Sequence, residues 1–375
     1  MNAPSLNGEE AGLMQQTASR QAFVYPMSLV RGVCILGVIL IHVANGSTQF
    51  GQSVPLAHML IFVNCLSRFA VPIFIILSGF YLSLNPKNEQ AAPFYRRTLK
   101  FLLIPYVSYS ILYSMFEFHK TSNAIIIIRD LLIANSHLWF IVLILQLYII
   151  HPVLRRWYRA RRHSGIIVIC AFLIQITWNL AFSILFRAPD LLRSGTPIIA
   201  RYGAICFISN IGYFLGGYYL LEHAEEAVRL FRNRAFVGAG AFCWFLAATV
   251  FAALWGIPIS QGPGISATLR TYLAQALLTP LLSIAALVTI FSFFQNYRFG
   301  KTITYRLLNS LGLYSYGIYC LHVLFLWFVS WIIRRGLMLG NDSPFYFLLI
   351  FPLATLLSLM AARTLSRVPL GRYLT

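Results

Sequence analysis

The sequence predicts an all-α, polytopic transmembrane bundle of about ten spans with both termini on the cytoplasmic side. Three observations carry that expectation. Of the 375 residues, 59% are hydrophobic and only 10% are charged, which is the balance of a membrane protein rather than of two or three soluble domains. Apolar runs recur at close to the ~20 residues that a helix needs to cross a hydrocarbon core. The basic residues, finally, fall unevenly among the segments that join those runs.

Cutting the chain where charges and turn residues interrupt the apolar runs places spans at 27–46, 57–84, 100–118, 137–153, 164–186, 201–221, 235–255, 271–294, 307–333 and 344–362. The fourth is short for a crossing and the second long. Nineteen of the 29 lysines and arginines then lie on the side of the N-terminus, among them Arg96, Lys100, Arg155, Arg159, Arg229 and Arg363. Eight lie on the other side, and Arg31 and Arg68 fall within spans. Cytoplasmic loops carry such an excess, so the N-terminus is expected inside and the loop around Gly262 outside.

The same asymmetry accounts for the net charge of +19. A basic nucleic-acid binder displays its charge on a polar surface, and no such surface is available here. The expected partners therefore include membrane lipids and exclude nucleic acid. Residues 1–22 are polar and have no apolar core of the kind a signal peptide needs, so they read as a disordered cytoplasmic tail. Residues 23–365 form the expected membrane domain and 366–375 a basic cytoplasmic tail. The isoleucine-rich stretch 124–133 reads equally as an interfacial helix or as a packed loop. All six cysteines sit in apolar segments, without disulfide or metal spacing, and no metal is expected.

Charged groups deep in spans cost roughly 2.5–3.5 kcal/mol on insertion scales, so each is a candidate for function. In the first span Arg31 and His42 are eleven residues apart, which puts them within about 20° of one helical face and roughly 16 Å apart along the axis. They are expected to look into one lining, with Asn45 a turn beyond. Separately, Arg31 also reads as a snorkelling residue and His42 as a structural histidine. In the second span Pro72 removes an N–H and clashes with the Arg68 carbonyl, so the helix is expected to break beside a buried cation. Ser78 and Gly79 follow, where close approach is possible. Glu117 is the one acid placed within a span, so Arg68 is suited to an anionic ligand. The ninth span carries Ser315, Tyr319 and His322 on roughly one face, and His42, Arg68 and His322 come out at similar depth. The fourth opens His-Leu-Trp-Phe at 137–140, where Trp139 reads equally as a belt residue or a substrate contact, and goes on to Gln146.

At these residues the chain resembles acyltransferase family 3, the membrane enzymes that acylate sugars of cell-surface polysaccharides, lipopolysaccharides and peptidoglycan. The likeness runs through Arg31 to His42, then Arg68, Pro72, Phe74, Ser78 and Gly79, then 137–140, then the Tyr-Ser-Tyr-Gly-Ile-Tyr run that ends in His322. It covers nearly the whole chain. Two departures stand out: the glutamate that many members carry a few residues after the fourth-span tryptophan is missing, and the extracellular hydrolase-like domain that many members continue into is not expected here. The resemblance implies a stand-alone enzyme of the cytoplasmic (inner) membrane that transfers an acyl group, acetyl above all, from acyl-coenzyme A to a sugar hydroxyl of a surface or lipid-linked glycan. Acyl-coenzyme A is then a co-substrate and no cofactor is bound. His42 becomes the general base or an acyl acceptor, Arg31 the donor-binding cation, and Arg68 a group that stabilises the thioester oxygen or orients the acceptor. Asn45, Ser78, Trp139, Ser315, Tyr319 and His322 are expected to line the substrate cavity. The rival expectation is a transporter or export subunit for a polysaccharide or lipid-linked sugar, since broken helices and buried cations serve transport as well.

Overall fold

Helices account for the architecture because backbone polar groups in a bilayer must be satisfied within the segment itself. The computed structural model describes residues 26–45, 54–121, 137–187, 205–261, 265–296, 302–340, 343–368 and 371. The expected tail 1–22, the stretch 124–133 and Gly262 lie outside them. The helices are α1 (Pro26–Asn45), α2 (Val54–Ser67), α3 (Ala70–Leu84), α4 (Ala91–Thr121), α5 (Trp139–Arg159), α6 (Ser164–Arg187), α7 (Ile211–Glu222), α8 (Ala224–Arg232), α9 (Arg234–Gln261), α10 (Ile265–Asn296), α11 (Ile303–Leu313), α12 (Ser315–Gly336) and α13 (Pro344–Leu365). Among the described residues nine segments are long and apolar enough to cross a membrane, with α2 and α3 counted as one. The chain is a polytopic helical membrane protein.

Two expected spans are broken instead of continuous. The sixth, 201–221, contains a 3₁₀ turn at Phe207–Asn210 and then the 12-residue α7. That helix is only about 18 Å long at 1.5 Å per residue. It is short because it is packed within protein rather than against lipid: Cβ atoms at Gly79 or Gly217 would collide with the Phe214 and Ile76 carbonyl oxygens. Glycine at both positions thus lets α3 and α7 meet backbone to backbone. The ninth span, 307–333, breaks at Tyr314 between α11 and α12. There Gly312 lies directly against Ser28 and Gly32 against Leu308, which locks α11 to α1.

The expected break in the second span is present. α2 ends at Ser67, Arg68 and Phe69 make the turn, and Pro72 sits in the first turn of α3, where its missing N–H removes no helical bond. α1 is among the most buried spans and α6 and α9 the least, so the bundle has α1 and α3 at its centre and α6 and α9 toward lipid. α7 packs between α3 and α6, α9 against α2 and α10, and α12 against α13.

One basic charge behaves differently from a loop charge. Arg155 is buried on α5, pairs with Glu222 at 3.2 Å and approaches Glu89 at 4.0 Å, while Arg159 holds Glu89 at 2.9 Å. Within this cluster His151 Nδ1 meets the Tyr218 hydroxyl at 2.7 Å. These contacts tie α5 to α7 and to the 3₁₀ turn Pro86–Glu89 at the basic end.

Sidedness is open to a direct check. In a cysteine-free background, Ser164→Cys and Asn233→Cys should react with an impermeant thiol reagent only from the cytoplasmic face, and Leu337→Cys only from the opposite face. Labelling of any of the three from the wrong face would break the topology.

Candidate active site

Two cavities enter the bundle from opposite ends. The one toward the end of α1 holding Asn45 has a volume of about 450 Å³ and is lined by His42, Asn45, Arg68, His137, Trp139, Gln175, Asn179, Asn210, Gln275 and Thr279, among others. The one toward the basic end has a volume of about 360 Å³ and is lined by Arg31, Phe74, Ser78, Tyr81, Thr98, Tyr148, Ser315 and Tyr316, with several aliphatic neighbours. Phe140 and Tyr319 line both. The outer cavity is thus rich in amides, and the inner one is aromatic and aliphatic with hydroxyls and a single arginine.

Where the cavities approach each other three histidines converge. The His42 ring lies 4.9 Å from that of His322 and 6.1 Å from that of His137, and the last two are 5.2 Å apart. His322 is fully buried in mid-α12, with Nδ1 2.7 Å from the Tyr319 carbonyl oxygen. A carbonyl only accepts, so Nδ1 carries the proton and Nε2 presents its lone pair. That Nε2 has no hydrogen-bond partner among the described residues. Tyr113 braces the cluster: its hydroxyl donates to the Cys320 carbonyl at 2.8 Å, and its ring meets His137 edge to face at 4.7 Å. Among the described residues no group of three or more His, Cys, Asp or Glu is placed to hold a metal ion.

Arg68 is positioned by the helix break. Its Nε donates to Asn64 Oδ1 at 3.0 Å, and its guanidinium lies 4.2 Å from the Trp255 ring centre and 5.2 Å from that of Phe251. Asn64 in turn donates to Asn45 Oδ1 at 2.8 Å and to the Ile41 carbonyl at 3.2 Å. A desolvated cation–π contact is worth about 2 kcal/mol and a hydrogen bond from a charged group about 1.5–3 kcal/mol, enough together to offset the insertion cost of a buried arginine. Arg31 donates to Ser315 Oγ at 2.9 Å across the junction of α11 and α12, 5.9 Å from the Tyr81 ring centre.

Amide side chains build the outer wall. Gln146 bonds both the Ile205 carbonyl (3.2 Å) and the Phe207 N–H (3.1 Å), Gln175 accepts from the Gly212 N–H at 3.0 Å, and Asn179 donates to the Ser209 carbonyl at 3.1 Å. Irregular backbone survives at membrane depth only when protein groups satisfy it and it borders a cavity. Both conditions hold for 205–212. Pro280 adds a further polar site, since it leaves the Ala276 carbonyl without its helical donor, and both residues line the cavity.

The sequence-derived site residues therefore divide between the two chambers. His42, Arg68, Asn45 and Trp139 face the outer one, Arg31, Ser78 and Ser315 the inner one, and Tyr319 both, whereas His322 lies behind them in the core. Arg31 and His42 share a face of α1 but not a cavity, because Phe140 and Tyr319 stand between. His137, Phe140 and Asn64 were not singled out by sequence reasoning. His137 and Phe140 open and close the four-residue motif at 137–140, which was the available signal; Asn64, in an apolar run four residues before Arg68, gave a weaker one. Gln146 supports backbone and does not stand in for the missing glutamate.

The bundle thus holds three clustered histidines and one arginine in each of two chambers, an arrangement compatible with a membrane-embedded enzyme. The family model described as an acyltransferase domain matches residues 25–363, and the chain belongs to that family, acyltransferase family 3. It is an acyltransferase. A probable poly-β-1,6-N-acetyl-D-glucosamine export protein of Staphylococcus aureus (strain Mu50 / ATCC 700699) is similar at 26% identity over 260 residues, 69% of each chain. No solved structure matches.

Proposed function

We propose that this acyltransferase moves an acetyl-sized group from acyl-coenzyme A, bound from the cytoplasm, to a sugar hydroxyl of a surface or lipid-linked glycan bound from the other side of the cytoplasmic membrane. The observation that carries the reading is the pair of unlike cavities that share Phe140 and Tyr319, with the histidine cluster packed beside Tyr319. A mostly apolar chamber with Arg31 at the basic end suits a pantetheine arm whose phosphates stay near the cytoplasm. An amide-lined chamber with Trp139 suits a polyhydroxylated ring, since amides pair with hydroxyls and the aromatic face covers C–H groups.

In this mechanism His42 takes the proton of the sugar hydroxyl as its oxygen attacks the thioester carbonyl. The C–S bond breaks, a C–O ester bond forms, and the proton passes from His42 to the departing thiolate, so coenzyme A leaves as the thiol. The bare Nε2 of His322 beside His42 supports the transient imidazolium. Arg68, held over the Trp255 ring and by Asn64, supplies N–H donors to developing negative charge. An acyl-histidine intermediate on His42 satisfies the same geometry.

The name of the S. aureus relative favours a second reading, export of a polysaccharide, which two opposed cavities also accommodate. Mass spectrometry and immunodetection of surface glycan, with and without the protein, separate the two. Transfer predicts that the glycan still reaches the surface but lacks its ester mass. Loss of the polymer from the surface, with its acylation pattern otherwise intact, would establish export instead.

A further inference from the structure

Among the described residues the two chambers have Phe140 and Tyr319 in common and His42 lines the outer one, so the direct path from the inner chamber to His42 runs past this aromatic pair. Those rings touch edge to face at 5.4 Å between centres, a closed contact. The two members are not held alike. The Tyr319 hydroxyl bonds the His137 carbonyl and its own backbone carbonyl accepts from His322 at 2.7 Å, so it is fixed at both ends. The Phe140 ring has no polar anchor: half-buried at the first turn of α5, it meets Phe74 and Trp139 with ring centres 6.2 Å away in each case. A ring restrained by packing alone can turn aside by a change of rotamer.

We propose that Phe140 is the gate between donor and acceptor chambers, and that its ring sets the length of acyl chain the enzyme transfers and keeps water from the bound thioester. The inference rests on the reading that acyl-coenzyme A enters the inner cavity. A short acyl group displaces the ring slightly and brings its carbonyl to His42; each further methylene has to be housed beside the ring and Phe74. When the gate is closed, water from the outer chamber cannot attack the thioester, a reaction that would replace the C–S bond with a carboxylic acid and release free thiol.

The test uses full-length protein in membranes carrying native glycan, with acetyl-, butyryl- and hexanoyl-coenzyme A as probes. Ester on glycan and free thiol are read separately. In Phe140→Ala the butyryl-to-acetyl ratio of ester should rise on the order of 10- to 100-fold, since each methylene in a tight pocket discriminates about tenfold or more. Acceptor-free thiol release should also rise severalfold. Phe140→Leu, which keeps more of the packing volume, should shift both in the same direction by less, and it carries the test if the alanine variant does not accumulate. An unchanged chain-length ratio in variants that still transfer acetyl would overturn the gate. If wild-type protein forms no ester from any acyl-coenzyme A, the donor reading itself falls, and the gate with it.

Discussion

Replacing His42 with alanine is expected to abolish acyl transfer, a loss of roughly 10²- to 10⁴-fold or more, while the protein still accumulates and inserts. His42 is the member of the histidine cluster that is half-buried and faces the outer cavity beside Arg68, whereas His322 is buried behind it. His322→Ala leaves that imidazole in place and removes only its neighbour, so it should cost less than His42→Ala. Glycan ester measured by mass spectrometry, alongside the amount of membrane-inserted protein, checks both. Wild-type ester levels in His42→Ala would remove the residue from the chemistry.

The two arginines should fail in different ways. Arg68→Ala removes donors fixed in the cavity that His42 lines, so turnover should fall about 10²- to 10³-fold with little change in the donor concentration needed. Arg68→Lys should recover little, because an ammonium lacks the planar guanidinium that sits over the Trp255 ring and the Nε that donates to Asn64. Arg31 lies in the inner cavity near the basic end, so Arg31→Ala should weaken donor binding about 10- to 100-fold, the worth of a charge-assisted hydrogen bond, and leave turnover at saturating donor nearly intact. Lysine should restore much of that binding, since a phosphate accepts a point charge. Steady-state kinetics with varied acyl-coenzyme A reads the difference. The reverse pattern, with Arg31 controlling turnover and Arg68 donor affinity, would place the donor in the wrong chamber.

Much of this was legible in the residue pattern, for reasons that differ by element. Long apolar runs have one physical solution in a bilayer, so α1, α5, α6, α9 and α13 follow from length and composition. Pro72 announced the break at Arg68 because a proline acts locally, on its own N–H and on the carbonyl four residues back. The breaks at 205–212 and at Tyr314 were not announced. They depend on backbone contacts between distant segments, Gly217 on Ile76 and Gly312 on Ser28, and sequence shows the glycines without their partners. Counting residues along helices brought His42 and His322 to one depth but could not show a wall across the shared face of Arg31 and His42. That wall is two aromatic rings from α5 and α12, residues whose ordinary place is in a core. For the same reason Arg155 counted as a loop charge, although it is buried with Glu222 and Glu89 from separate segments.

The central claim is that donor and acceptor meet from opposite faces at His42. It is tested most directly with sealed membrane vesicles of known orientation from cells that carry the protein, given acetyl-coenzyme A labelled in the acetyl group. Inside-out vesicles, which present the cytoplasmic face, should accumulate label in glycan within the lumen, and His42→Ala vesicles should not. Right-side-out vesicles given the same donor externally should stay unlabelled. Labelling from the external face alone, or equal labelling with His42→Ala, would contradict the account.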